Sequence, residues 1–271
     1  MFQTVIDADN HDLRVNFGEL YRYRELLLIF AYRDIKAKYS QTYLGLFWSF
    51  VTPVLTLLTL SVVFNRIIQI ETVNIPYPLF LLSGWIVWAY FSGTVASSGS
   101  SILDAQRIIQ KVYFPRLLVP LSKLLVGLTD FAIGLLFIFI LLVYFKHPLQ
   151  LSMLYLPVFI VLTLLLNTGI SVWASALIVR YRDMQQIVNY GLYLLFYLTP
   201  VFYPTAYIPE QYKTLFYLNP LVGLTDGYRW CLLGGEYQYW QMAYICIMSV
   251  LFCVSGVWYF KKTEKIMTDI L

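Results

Sequence analysis

The chain has 271 residues, of which 59% are hydrophobic, 18% aromatic and only 13% charged, with a formal net charge of +4. A soluble domain carries roughly 25% charged residues, and here the missing charge is concentrated in long uncharged runs, which excludes a water-soluble globular fold. Three cysteines (Cys231, Cys246, Cys253) and two distant histidines (His11, His147) supply neither a disulfide framework nor a metal or nucleophile constellation, so no catalytic or metal residue is assigned.

Residues 1–43 contain six acids, six bases and no apolar core of signal-peptide length, so they are expected to stay in the cytosol. Within them, residues 19–38 predict an amphipathic helix. Leu20, Tyr23, Leu27 and Phe30 recur at helical spacing, with Arg22, Arg24, Glu25, Arg33 and Lys36 between them, and Asn16 before Glu19 is a weak capping signal. A basic helix of this kind lies along a membrane surface. It is either a plain positive-inside anchor or a more specific device, in which Arg33, Lys36 and Lys38 meet an anionic lipid headgroup of the cytosolic leaflet.

A hydrocarbon core of about 30 Å takes around 20 apolar residues in a helix. Leu44–Phe64 is uncharged and is the first predicted span, with Pro53 expected to bend it. Tyr39, Tyr43, Phe47 and Phe50 follow one another at helical intervals, a single aromatic stripe. Leu79–Ser101 is the second span. Its Gly93, Ser97 and Ser101 repeat every four residues, the small-residue pattern of close helix packing. The cytosolic loop 102–116 reads as a short helix, Asp104 to Lys111, closed by Pro115, and Ile108 and Ile109 exposed in it point to a partner protein.

The third span lies within Leu117–Phe145 and the fourth within Leu151–Val179. Lys123 and Asp130 share one face of the third span at about 10 Å separation. Lys123 is expected to reach the cytosolic surface. Asp130 needs a partner on another helix, either as a structural carboxylate or as a proton or substrate site. A fifth span is placed near Ile187–Tyr203, where Tyr190, Tyr193 and Tyr197 form a second aromatic stripe. Tyrosine faces can stack on sugar C–H faces while their hydroxyls bond sugar hydroxyls. The alternative is an interfacial aromatic belt.

The outer stretch 204–238 is too apolar for a free loop and too interrupted to span. Pro209 can open one short helix, Asn219-Pro220 another, and Gly234-Gly235 ends the second, which predicts two short re-entrant helices. Gln241–Phe260 is the sixth span, and 261–271 a cytosolic tail. Lysine and arginine concentrate in the N-terminal segment, the 102–116 loop, the 180–183 turn and the tail, so both termini are expected in the cytosol. The expected architecture is therefore all-α: one transmembrane domain over 1–271, with six spans across 44–260, an N-terminal interface helix and two short outer re-entrant helices.

No G-x-x-x-x-G-K-[S/T] loop exists, and no lysine follows a glycine anywhere. A six-span chain without its own phosphate cradle and with few buried charges points to an external motor.

At this point the residues resemble a known family. Tyr23-Arg-Glu-Leu-Leu through Arg33-Asp-Ile-Lys36, Tyr43-Leu-Gly-Leu-Phe-Trp48 with Pro53, and Lys111-Val-Tyr-Phe-Pro-Arg-Leu-Leu-Val-Pro120 match in order. Arg180-Tyr-Arg-Asp183, Thr199-Pro-Val-Phe-Tyr-Pro204 and the segment from Leu218-Asn-Pro to Tyr-Arg-Trp230 continue the match over most of the chain. The chain resembles the membrane subunit of an ATP-binding-cassette exporter of the polysaccharide and polyol-phosphate class, which includes O-antigen, capsule and teichoic-acid permeases.

The resemblance implies a multi-pass subunit of a bacterial plasma (inner) membrane, paired with a second copy of itself and two copies of a separate ATPase subunit that binds ATP and Mg. It implies that the loop around Asp104, Arg107 and Lys111, with Arg180 and Asp183, couples to that ATPase. It also implies that the first and fifth spans line the path of a lipid-linked polysaccharide, so that Tyr39, Tyr43, Phe47, Phe50, Tyr190, Tyr193 and Tyr197 would face the glycan. No cofactor in this chain and no nucleic acid are expected. The competing readings are a stand-alone flippase or secondary transporter for lipid-linked sugar, and a membrane enzyme acting on such a lipid.

Overall fold

A computed structural model describes residues 17–40, 47–70 and 75–270. Tyr43 and the start of the predicted first span lie outside the described residues. The described residues form helices and turns, with no strand among them.

The N-terminal helix is nearly continuous: α1 (Phe17–Arg22) and α2 (Arg24–Ser40) are joined at Tyr23, whose amide still bonds the Glu19 carbonyl at 3.1 Å. Its predicted apolar face does not meet lipid. Phe30 is buried with its ring 5.4 Å from that of Phe114, and Leu20, Tyr23 and Leu27 pack into the same cluster. A second apolar face carrying Tyr21, Leu28, Ile29 and Tyr32 is the exposed one. The helix thus lies between the protein and its surroundings, apolar on both sides.

Five helical segments are long and apolar enough to cross a membrane: Phe50–Ile67, Tyr77–Asp104, Leu118–Tyr144, Leu151–Arg180 and Tyr239–Glu264. The first is α3 (Trp48–Leu60), which continues past Pro53 and widens into a π-helical turn at Ser61–Ile67. It is the most loosely held, with none of its span buried. α4 (Tyr77–Asp104) is the central helix, packed against α6 (Leu118–Tyr144) and α7 (Leu156–Arg180). Between α4 and α6 lies α5 (Gln106–Ile109), a single turn within the longer helix predicted over 104–111.

The predicted fifth span is α8 (Met184–Leu198), only 15 residues. That is about 22 Å of helix, short of a full hydrocarbon core. Pro200 explains the stop: it forces the preceding residue out of helical geometry, and Thr199 is extended at φ −107°, ψ 128°. Residues 204–238 contain two short helices, α9 (Glu210–Tyr217) and α10 (Pro220–Leu233). Asn219 caps α10 by accepting from the Leu221 amide at 3.1 Å, and Gly234 and Gly235 end it with φ of 81° and 98°. Those angles favour glycine because a Cβ would clash with the backbone. Last comes α11 (Tyr239–Ile270).

α7 and α11 touch backbone to backbone. A Cβ built on Gly169 would lie 2.3 Å from the Phe252 carbonyl carbon, and one on Gly256 would lie 2.2 Å from the Gly169 oxygen. Small residues permit this approach, which supplies packing energy where lipid offers no hydrophobic drive. The repeat predicted for packing on α4 behaves differently. Ser101 is buried, but Gly93 and Ser97 are exposed, and nothing lies within 4 Å of a Cβ on Gly93. The close contact on α4 comes instead from Gly99, against Ile178.

Two buried clusters mark the ends of the bundle. One gathers Phe30, Ile102, Ala105, Phe114, Leu117, Val179, Phe260 and Met267. The other is the larger core; it contains Tyr77, Val201, Phe202, Leu221 and Tyr228, and so holds the segment that follows α8.

Candidate functional site

Both predicted coupling elements stand at the end marked by Ile102 and Val179. Asp104, Arg107 and Lys111 are exposed around α5, as are Val112 and Tyr113 beside them. Ile108 and Ile109 are half-buried against the cluster under the turn, so the outward apolar surface is carried by Val112 and Tyr113 rather than by the isoleucines. Arg180 and Asp183 are exposed at the turn between α7 and α8. Arg116 anchors this corner to α11, donating from Nη1 to the Glu264 carbonyl at 2.8 Å while its amide bonds the Glu264 carboxylate at 3.3 Å.

The two ionisable residues of the predicted third span both find partners on α2. Asp130 receives an ion pair from Lys38, and the Tyr39 hydroxyl donates to its other oxygen at 2.7 Å. Lys123 does not end at the surface alone: it pairs with Asp34 at 2.7 Å, with only 20% and 15% of the two side chains exposed. Burial pushes the Asp34 carboxyl up, but hydrogen bonds from Lys123 and Arg33 override it and hold the group below its ordinary value. Spacing on one helix could not reveal these pairs, because their other halves lie about 90 positions away. Asp34 was not singled out from sequence, although it sits one helical turn before Lys38.

Of the predicted headgroup cations, Arg33 is half-exposed and bonds Asp34, Lys36 is exposed on the same helix, and Lys38 is engaged by Asp130. These pairs border a cavity of about 610 Å³ between α2, α3, α4 and α6. Its lining includes Asp34, Lys38, Lys123 and Asp130, the aromatics Tyr39, Trp48, Trp85, Tyr90 and Phe131, and the small residues Gly93 and Ser97.

The α8 stripe forms one face. Tyr190, Tyr193 and Tyr197 are each about half-exposed; the first two rings are stacked with centroids 6.3 Å apart, and the second pair meets edge to face at 5.3 Å. The hydroxyls of Tyr193 and Tyr197 are 3.2 Å apart, and Tyr203 donates to the Tyr197 carbonyl at 2.9 Å. On the first span, Phe47 is exposed and Phe50 half-buried, while Tyr39 turns to Asp130. The structure therefore does not place all the predicted path residues on one surface.

At the opposite end lies a buried arginine that the sequence analysis did not single out. Arg229 of α10 donates through Nη2 to the Val201 carbonyl at 2.8 Å, lies over the Phe80 ring at 3.7 Å, and approaches Asp226 at 3.6 Å. Gly84 makes room for it: a Cβ there would come within 2.9 Å of the guanidinium. One side chain thus ties α10 to α4 and to the turn after α8. Among the described residues no group of three or more histidine, cysteine or acidic side chains is placed to hold a metal ion.

The family model for ABC-2 type transporters matches residues 25–233. The chain is 28% identical to an O-antigen export system permease protein RfbA of Klebsiella pneumoniae over 96% of this chain and 98% of that protein. It is 33% identical to the protein of the same name from Myxococcus xanthus, over 78% of this chain and 81% of that one. It is also 23% identical to the polysialic acid transport protein KpsM of Escherichia coli, over 87% of this chain and 92% of that protein.

Proposed function

The chain belongs to the ABC-2 type transporter family, and on that premise we propose that it is the permease of an ATP-driven exporter carrying an O-antigen-type polysaccharide, linked to lipid, across the bacterial inner membrane. The observation that carries the reading is the near end-to-end match to O-antigen export permeases, which spans the interface helix, the α5 corner and the outer segment together.

Six crossings suit this role. α8 starts at the end marked by Val179, and the residues after it join the opposite end, where the Tyr77 hydroxyl donates to the Phe202 carbonyl at 2.8 Å. On this reading the 15-residue helix and its extended continuation together make the sixth crossing. On the charge bias both termini face the cytosol, and α9 and α10 turn back from the outer side without crossing.

The α5 corner with Asp104, Arg107 and Lys111, and the turn with Arg180 and Asp183, would dock two copies of an ATPase subunit, one on each of two copies of this chain. ATP and Mg belong to that subunit. Arg33, Lys36 and Lys38 would supply cations to an anionic headgroup of the cytosolic leaflet, and the tyrosines of α8 with Phe47 and Phe50 would offer aromatic surface to a glycan.

Deleting the gene should leave lipid-linked glycan on the cytosolic side, and the purified chain should bring down a nucleotide-hydrolysing subunit. A chain that translocates its cargo in vesicles with no such subunit would overturn the proposal.

A further inference from the structure

The cavity between α2, α3, α4 and α6 lies apart from the α8 face and from the docking corner, and its chemistry is specific. Among the described residues lining it, the formal charges are two lysines and two aspartates, so they cancel. They are arranged crosswise. Asp34 and Lys38 sit one turn apart on α2, Lys123 and Asp130 two turns apart on α6, and each cation faces a carboxylate of the other helix. The rest of the lining is mainly apolar, with Trp48, Pro53, Trp85, Ile86 and Phe131, and Gly93 leaves its share of the volume open. A volume of about 610 Å³ is in the range of sites that enclose a small amphiphile.

We propose that this cavity holds a zwitterionic phospholipid of the phosphoethanolamine class as a resident lipid, with part of its hydrocarbon on the apolar wall. The headgroup phosphate would take Lys38 and Lys123, and its ammonium Asp34 and Asp130, turning two ion pairs into one alternating ring. The neutral lining selects this class. A polyprenyl diphosphate would bring several negative charges beside two carboxylates in a medium of low dielectric, where like charges repel strongly. An anionic phospholipid would meet the same repulsion without an ammonium to offset it. Of the cations offered to the cargo headgroup only Lys38 lines this cavity, and the site stands whether or not the cargo is O-antigen.

The test uses the full-length protein in vesicles doped with phosphatidylethanolamine bearing a diazirine in one acyl chain, against phosphatidylglycerol with the same label. Cross-linked peptides are mapped by mass spectrometry. Labelling over residues 85–97 and 126–134 is expected to be at least about five-fold higher with the zwitterionic probe, and Lys123→Gln should remove that preference. Gly93→Leu, which fills space where a Cβ meets nothing, should bring labelling to background; its melting temperature controls for folding, and Ser97→Leu serves if it does not fold. Equal labelling by the two lipids, labelling that survives both filling variants, or displacement by equimolar polyprenyl diphosphate would each overturn the proposal. The wild-type comparisons decide the matter even if every variant fails to fold.

Discussion

Lys38 of α2 and Asp130 of α6, 92 positions apart, form an ion pair that Tyr39 completes from the neighbouring position. With Lys123 and Asp34 it pins the interface helix to a spanning helix. The Lys38 pair is nearly half-exposed and should contribute about 1 kcal/mol or less; the better-covered Lys123–Asp34 pair, made of charge-assisted hydrogen bonds, should contribute about 2 kcal/mol.

Lys123→Met is therefore expected to lower the melting temperature in detergent more than Lys38→Met. The double exchange Asp34→Lys with Lys123→Asp should recover part of the loss, whereas either single reversal should not. Because the Asp34 carboxyl is held below its ordinary value, its contribution is complete at neutral pH and is lost only as pH falls through that lowered value. Melting followed from pH 7 down through the carboxylate range should show the wild-type advantage over Asp34→Asn intact above the ordinary carboxylate value and declining below it.

At the opposite end, Arg229→Met removes the tie between α10, α4 and Val201 and leaves Asp226 buried without its cation. Stranding a buried charge costs about 3–5 kcal/mol, so the outer segment should become a target for limited proteolysis between residues 204 and 219. Adding Asp226→Leu should restore much of the resistance. Equal cleavage in the single and double variants would show that the cation–ring contact with Phe80 outweighs the charge pair.

Gly256→Val should be among the most damaging single substitutions, since even its Cβ would lie 2.2 Å from the Gly169 oxygen. Overpacking of this kind costs about 1–3 kcal/mol or more. The expected outcome is a sharp fall in folded yield by size-exclusion chromatography, whereas Gly191→Ala, where nothing lies within 4 Å, should leave yield unchanged.

Docking of the ATPase at the α5 corner predicts that Arg107→Glu with Lys111→Glu weakens co-purification of that subunit while the permease itself still folds, because both side chains are exposed. An unchanged yield of the complex would move the docking surface elsewhere. Export, measured as glycan reaching the cell surface, should fall in Tyr193→Ala with the complex intact.

Much of the fold was legible in the sequence because lipid imposes hydrocarbon-length runs and leaves charge to the ends. The turn chemistry of the outer segment was legible too: Asn219-Pro220 and Gly234-Gly235 act through local geometry, which a sequence displays directly. What the sequence did not display were relations between helices. The partners of Lys123 and Asp130, the burial of Arg229 beneath Gly84, and the choice of Gly169 and Gly256 over Gly93 for close packing all depend on which faces meet. The length of α8 was misjudged for another reason: Thr199-Pro200 has the hydropathy to continue a span but not the backbone freedom.

The contact at Gly169 and Gly256 has a mechanical consequence. With no layer of side chains between them, α7 and α11 cannot slide or roll past one another without backbone atoms colliding, so they behave as one stiff strut. Force delivered at the Arg116–Glu264 corner reaches that strut as a rigid push. The give in the machine must then come from α3, which has little buried anywhere along it, and from the short, outward-facing α8.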